Sequence, residues 1–442
     1  MSAAVEKTSK LPSVFRALRH RNFQLFFAGQ LISLTGTWMQ TIAQSWLVYR
    51  LTGSVALLGL IGFAAQIPVF LLTAFGGAIA DKYDRRRILI ATQACSMLSA
   101  GTLAALTLTE RIEVWQLFVF ASFGGIVNAF DIPTRQSFVV DMVGKDDLLN
   151  AIALNSSMFN GARIVGPAVA GILVAAVGEG WCFFGNSVSY IAVITGLLLM
   201  RLPQKEISPQ SESALKKIKE GFVFVAKTAP VRGILLLLGL VSLMGMPYSV
   251  LMPIFADQIL HGGAGGLGIL MGSSGVGALT AALVLASRKN LHGLGTWVVA
   301  ASGAFGLALI LFSLSRNFWL SAALLIPVGF AMMIQMSSSN TLVQSMVPDE
   351  LRGRVMAVYS MMFMGMAPIG ALMAGSLAEV IGAPGTVALG GSVCILASLI
   401  SVFLLPKLTV EARQIIVALQ MTGGEPASKA SFQQPVLVTS KE

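Results

Sequence analysis

Charge is what this 442-residue chain lacks. Asp, Glu, Lys and Arg make up only 11% of it, against 55% hydrophobic residues and a mean hydropathy of +0.79. A water-soluble chain of this length could not solvate that composition, so the expected class is an all-α membrane protein. Cysteine is scarce: Cys95, Cys182 and Cys394 lie scattered through apolar segments, spaced for neither a disulfide framework nor a metal site. Three histidines (His20, His261, His292) form no metal cluster, and none has a nucleophile beside it in an evident motif, which argues against an intramembrane enzyme. No G-x-x-x-x-G-K-[ST] phosphate loop occurs, which excludes a P-loop nucleotide motor. No cofactor and no metal are expected. No cleavable signal peptide is expected either. The first 22 residues carry Lys7, Lys10, Arg16, Arg19 and Arg21, and the apolar run that follows is too long for a signal core.

What is present is a series of long apolar runs. A hydrocarbon core needs about 20 such residues per helix. Runs of that length occur near 23–49, 54–80, 88–109, 115–139, 150–177, 181–200, 231–256, 265–287, 294–314, 318–346, 354–381 and 384–405, which predicts twelve spans. If the N-terminus is cytoplasmic, 26 of the 30 Lys and Arg residues fall on the cytoplasmic side. Arg50, Arg111 and Arg316 fall opposite, and Arg163 lies within a span. That bias orients the chain in a bacterial inner membrane with both termini inside. It also accounts for the net charge of +10 as attraction to anionic headgroups, and no nucleic-acid partner is expected.

The chain reads as two matched halves. MVGKDDL (142–148) follows the fourth span and MVPDEL (346–351) the tenth. A glycine- and proline-containing helix comes next in each half: GARIVGPAVAG (161–171) and MGMAPIGALMAG (364–375). The expected plan is a cytoplasmic arm with a short amphipathic helix (1–22), a six-helix bundle (23–203), and a cytoplasmic linker (204–229). A second pseudo-symmetric six-helix bundle (230–406) and a mostly disordered tail (407–442) complete it. In the linker, Leu215, Ile218, Phe222 and Val225 share one helical face, as expected of an amphipathic helix. Repeated halves are a common plan for secondary transporters, with the substrate held between them.

Between the second and third spans lies GGAIADKYDRRR, residues 76–87. Its G-x-x-x-D-K-x-x-R-R-R pattern resembles the major facilitator superfamily signature, with Gly77, Asp81, Lys82, Arg85 and Arg86 in the key places and Asp84 where that family usually has glycine. GTWMQTIAQSWLVYRLTGS (36–54) and ALNSSMFNGARIVGPAVAG (153–171) look like the branch of enterobactin exporters and macrolide efflux proteins. The resemblance implies a monomeric antiporter for siderophore export or multidrug resistance. It also implies a gate in which Asp81 meets the N-terminus of the eleventh helix, near Arg354 to Ala357, when the inside is closed. Arg135 is a second candidate partner for Asp81, and Gly77 is expected to let the loop end of span two approach a neighbouring helix closely.

Ionisable groups within spans are costly and usually functional. Asp131 and Arg135, four apart, share a face of span four, and Arg163 lies on span five. An Asp131–Arg163 pair could couple transport to protons; the alternative is a permanent structural ion pair. Gln30, Ser33, Thr37, Thr41 and Gln44 form one stripe on span one, flanked by Trp38. With Tyr248, Gln335 and Ser338 they are expected to line a neutral, partly aromatic cavity, the alternative being hydrogen bonding between helices. Gly166, Pro167 and Gly171 should bend span five, with Pro368 as an approximate counterpart in span eleven. The expected function is export of a bulky amphipathic small molecule, coupled to protons. Import or lipid movement on the same fold is the alternative, and a non-transporting receptor the reading from another class. The expected partners are the substrate, protons and membrane lipids.

Overall fold

The computed structural model describes residues 13–144, 146–202, 214–287 and 293–421. The first half contains α1 (Arg21–Thr52), α2 (Val55–Lys82), α3 (Arg85–Leu108), α4 (Val114–Val143), α5 (Leu148–Val177) and α6 (Glu179–Leu199). A shorter α7 (Ala214–Lys227) follows. The second half contains α8 (Ala229–Met244), the single turn α9 (Met252–Ile254), α10 (Gly263–Ala286), α11 (Leu294–Leu314), α12 (Phe318–Ser345), α13 (Asp349–Met364) and α14 (Met366–Met421). No strand occurs among the described residues. Helix is the only open-ended element that satisfies its own backbone in lipid.

Ten of these helical runs are long and apolar enough to cross a bilayer. α1 is not among the ten because its polar stripe lowers its hydropathy, and the run 349–419 counts once. That run is broken at Gly382, whose φ of 76° lies in the left-handed region that glycine tolerates. Dividing the run there and adding α1 gives the twelve helical passes. Val380 and Phe403, each more than four-fifths exposed, show the apolar outer surface that only lipid would cover.

The helix ends follow their local sequence. Ser54 caps α2 by accepting from the Leu57 amide at 3.3 Å, and Asn317 caps α12 by accepting from Leu320 at 3.0 Å. Asp84 accepts from the Arg87 amide at 3.2 Å. The residue that departs from the signature glycine thus starts α3 as an N-cap, and no left-handed backbone is needed there. The turn at 83–84 defines the basic face of the bundle; the turns at Gly53, Gly178 and Gly382 define the far face.

Three sequence expectations change, and the bend expected at Pro368 is seen as a break in span eleven. Span seven is interrupted: α8 ends at Met244, a 3-10 turn covers Met246–Ser249, and a π turn covers Phe255–Ile259. Gly245, Pro247 and Pro253 account for the break. Span eleven is split at Gly365, because Pro368 cannot donate to the Met364 carbonyl. The helix after span twelve runs through Pro406 to Met421, well beyond the turn or two expected; residues 422–442 lie outside the described residues. The arm forms a 3-10 turn over Ser13–Arg19, held by Asp147, which accepts from Arg16 at 2.6 Å and bonds His20 at 2.8 Å. Of the predicted apolar face of α7, Val225 is buried and Phe222 exposed; the side chains of Leu215 and Ile218 lie outside the described residues.

Within the first half, α1 packs on α4, α5 and α6, α2 on α4, and α3 on α4 and α6. In the second, α10 packs on α12, α11 on α12 and α14, and α8 on α14. The halves meet along two seams, α5 with α10 and α2 with α14. By rank these are span five with eight and span eleven with two, so a twofold exchange of halves maps one seam onto the other. The contacts obey that exchange. A Cβ on Gly171 would sit 2.9 Å from Gly268 Cα, and one on Gly375 would sit 2.9 Å from Gly59 Cα. In reverse, the distances are 2.7 Å (Gly268 to Gly171) and 2.8 Å (Gly59 to Gly375). Gly171 and Gly375 close the two repeated segments found in the sequence.

Candidate functional site: the seam between the halves

The seams are tight on the far side and part toward the basic face. At the far end, Tyr49 donates to Asp257 at 2.7 Å and Ser54 to Glu379 at 3.4 Å. Both bonds join the halves through side chains. Gly268 lies against the Pro167 carbonyl on the far side, and at mid-depth Gly275 lies against Ile164 and Gly365 against the Phe70 ring. Toward the basic face, no described hydrogen bond or ion pair crosses from one half to the other.

The signature residues sit on that parted side. Asp81 is two-thirds exposed and, among the described residues, reaches only Arg85, at 3.4 Å. The N-terminal stretch of α13 is engaged elsewhere, with Arg354 pairing to Glu220 of α7. Arg135, the other candidate partner, is not with Asp81: it pairs with Asp131 at 3.3 Å and donates to Gln30 at 3.1 Å. Arg85 is largely buried. It donates to Asp141 at 2.8 Å, to the Ser137 carbonyl at 3.0 Å and to the Ala80 carbonyl at 3.2 Å, so it ties α2, α3 and α4 together. Arg86 donates to the Leu198 carbonyl on α6 at 2.7 Å. Lys82 is exposed, with Nζ 5.7 Å from the Tyr83 ring centre. Gly77 is not the close-packing glycine. Its nearest neighbour beyond its own helix is Pro133 Cβ at 4.0 Å from the Cβ position, whereas at Gly76 that position lies 2.1 Å from the Ala129 carbonyl oxygen.

The expected Asp131–Arg163 pair does not form. Asp131 is buried and fully engaged inside the first half, accepting from Thr92 at 3.0 Å and Gln93 at 2.8 Å, with Arg135 as its counter-ion. The partner four residues along the same helix outcompetes one on another helix. Arg163 is left on the seam with a buried Nη2 that has no partner among the described residues. Its backbone packs on Gly275 of the other half, next to Ser274, whose hydroxyl bonds Tyr248. Tyr248 is buried, its hydroxyl 2.9 Å from Ser274 Oγ and its ring edge-on to Phe305.

The polar stripe of α1 divides by depth. Gln30 and Ser33 are buried within the first half and do not line an open space. Thr37, Trp38, Thr41 and Gln44 keep accessible surface. Thr37 Oγ1 lies 3.4 Å from the Tyr190 hydroxyl, and Trp38 packs edge-on to Phe159. Gln335 and Ser338 are likewise buried rather than exposed to a cavity. With Ser339 they carry side-chain polar atoms that have no partner among the described residues. Gly166 admits α1 closely, since a Cβ there would lie 2.4 Å from Trp38 Cβ. Pro167 sits inside a continuous α5, and Pro368 just beyond the break in span eleven.

Sequence reasoning missed the far-face bonds and the interrupted seventh span. The second had a signal in Gly245, Pro247 and Pro253; the first had none, since Tyr49 and Asp257 are 208 residues apart.

Comparison with known proteins places this architecture. A sequence profile described as "Transmembrane secretion effector" matches residues 12–438. The staphyloferrin A transporter of Staphylococcus aureus is 26% identical over 88% of this chain and 98% of its own length. The multidrug efflux pump Tap of Mycolicibacterium fortuitum is 27% identical over 84% and 93%. The enterobactin exporter EntS of Escherichia coli is 26% identical over 84% and 89%. Among solved structures, the nucleoside transporter NupG superposes with a TM-score of 0.66 at 15% identity, covering 90% of this chain and 99% of that one. The human organic anion transporter MFSD10 gives 0.60 at 17%, over 88% and 100%. At those identities the structures share the fold alone. With nearly its whole length matched, the chain is a multi-pass bacterial membrane transporter, not an enzyme, and belongs to the transmembrane secretion effector family of the major facilitator superfamily.

Proposed function

We propose that this transporter is a secondary-active exporter that carries a bulky amphipathic molecule, siderophore- or drug-like, out of the cytoplasm by alternating access. The observation that carries this reading is the asymmetry of the seam. Paired glycines and the Tyr49–Asp257 and Ser54–Glu379 bonds close the far face, while Asp81 and α13 stand unjoined at the basic face. With the basic face in the cytoplasm, as the Lys and Arg bias favours, this is the inward-facing state. Rocking about the mid-depth contacts would bring Asp81 to the N-terminus of α13 and release the far-face bonds. The names of the relatives (a siderophore transporter, a siderophore exporter and a drug pump) favour the same cargo classes and outward direction.

Protons drive the cycle in this reading, through a group other than Asp131, whose oxygens are already taken. Asp257 and Glu379 are the carboxylates whose bonds must break when the far face opens. Efflux of a preloaded fluorescent cargo from inverted and right-side-out vesicles, with and without an uncoupler, tests the proposal. Uncoupler-sensitive movement toward the far face supports it; movement indifferent to the gradient, or in the other direction, refutes it.

A further inference from the structure

The charge budget of the seam contains one imbalance. Arg163 lies 15 residues beyond Leu148 and 14 before Val177, close to the middle of α5. The other arginines that turn into the first half have partners: Arg85 with Asp141, Arg135 with Asp131, and Arg50 with Glu179. Arg163 forms no ion pair and donates no hydrogen bond among the described residues, and its Nη2 is buried. A guanidinium stays protonated under all physiological conditions, so this is a full positive charge at mid-membrane. Its position is fixed by packing. The Arg163 carbonyl lies 3.3 Å from the Cβ position of Gly275, and the next residue, Ile164, packs against the same glycine. Opposite stand Tyr248 and Ser274, both neutral and bonded to each other. Three carboxylates of the two halves are committed elsewhere: Asp131 to Arg135, Thr92 and Gln93, Asp257 to Tyr49, and Glu379 to Ser54.

We propose that Arg163, faced by Tyr248, is an anion-recognition site, and that the transported molecule carries an acidic group, a carboxylate or similar organic anion, on an apolar or aromatic body. This rests on the transporter reading and narrows its substrate class. A planar guanidinium offers two parallel donors to a carboxylate, and the Tyr248–Phe305 pair supplies an aromatic wall behind it. The site lies where the halves meet at mid-depth, so it can remain in contact with cargo as either face opens.

Two dyes on one xanthene scaffold test the charge rule: fluorescein, a dianion at pH 8, and rhodamine 6G, a cation. Equilibrium binding to the full-length protein in neutral detergent, read by dye polarisation, should favour fluorescein. Arg163→Gln should weaken fluorescein at least about 10-fold and leave rhodamine 6G unchanged or stronger. Arg163→Lys, which keeps the charge but loses the fork, should fall between. Equal affinity of the wild-type protein for the two dyes, no fluorescein binding above a micelle blank, or full binding by Arg163→Gln each overturns the site. The wild-type comparison stands even where a variant fails to fold. Adding phosphatidylglycerol to the micelles distinguishes a lipid phosphate from a free anion, and Arg163-dependent displacement of fluorescein by the lipid overturns the small-molecule assignment. Vesicle flux is scored separately. Charge-selective, Arg163-dependent binding without flux retires the exporter reading and keeps the site; flux indifferent to Arg163 does the reverse.

Discussion

Adding one methyl group at Gly268 should tilt the two halves apart on the far face. A Cβ there would lie 2.6 Å from the Pro167 carbonyl oxygen and 2.7 Å from Gly171 Cα. Both are backbone atoms of continuous α5, so no flexible side chain can yield. Ordinary contact begins at 3.4 Å, and the helices must separate by roughly 0.8 Å. Overpacking of this kind costs about 1–3 kcal/mol. A conformation already parted at the far face bears none of that cost. Gly268→Ala should therefore shift the equilibrium toward it by about 5- to 150-fold. Gly59→Ala, the counterpart on the other seam at 2.5 Å from the Ala371 carbonyl, should act alike, and the double variant should act roughly additively. Nitroxides at Thr52 and Glu379 in a background without Cys95, Cys182 and Cys394 would report the far-face distance by pulsed electron resonance. A longer distance population should grow in each variant. Unchanged distance distributions at unchanged melting temperature would refute the reasoning, since the methyl group would then have been absorbed without opening either seam.

Three other outcomes follow from packing and charge. Gly76→Ala should lower stability by about 1–3 kcal/mol, because its Cβ meets the Ala129 carbonyl, while Gly77→Ala should be near neutral; thermal unfolding in detergent ranks the two. Asp131→Ala should cost about 3 kcal/mol by leaving Arg135 without its counter-ion, whereas Asp131→Asn should keep gradient-driven flux per folded molecule. Loss of coupling at full abundance in the Asn variant would restore Asp131 as proton carrier. At the basic face, hydrogen bonds from His20 and then Arg16 hold the Asp147 carboxyl below its ordinary value. A carboxylate depressed by folding stabilises above its unfolded pKa, and that contribution is lost as pH falls through the folded one. The hydrogen-exchange protection of residues 13–20, relative to intrinsic rates, should be high at neutral pH and fall below about pH 4; Asp147→Asn should show low protection at both.

Much of the fold was legible because lipid imposes it. Apolar length, basic bias and the paired segments 161–171 and 364–375 are properties of single helices, and they carried over. Contacts between helices were less legible. Gly76 and Gly77 are adjacent, and only the rotation of α2 against α4 decides which one packs. Asp131 had two candidate arginines, and sequence could not weigh a partner four residues away against one across a helix boundary. The stripe on α1 has the right spacing throughout. Gln30, bonded by Arg135 of α4, and Ser33 are nevertheless buried, while Thr41 is exposed. The interruption of span seven carried its signal in Gly245, Pro247 and Pro253, but hydropathy passes over it because the residues on both sides are equally apolar.

The helix between the halves has taken sides. Glu220 grips Arg354, Gly221 lets the α13 backbone approach, and Val225 is buried. Mechanically, α7 is thus cargo of the second six-helix unit, not a neutral hinge pin. A force applied to it would act on the lower leg of span eleven, below Gly365. That makes α7 a lever through which events at the membrane surface could set how readily the two units swing.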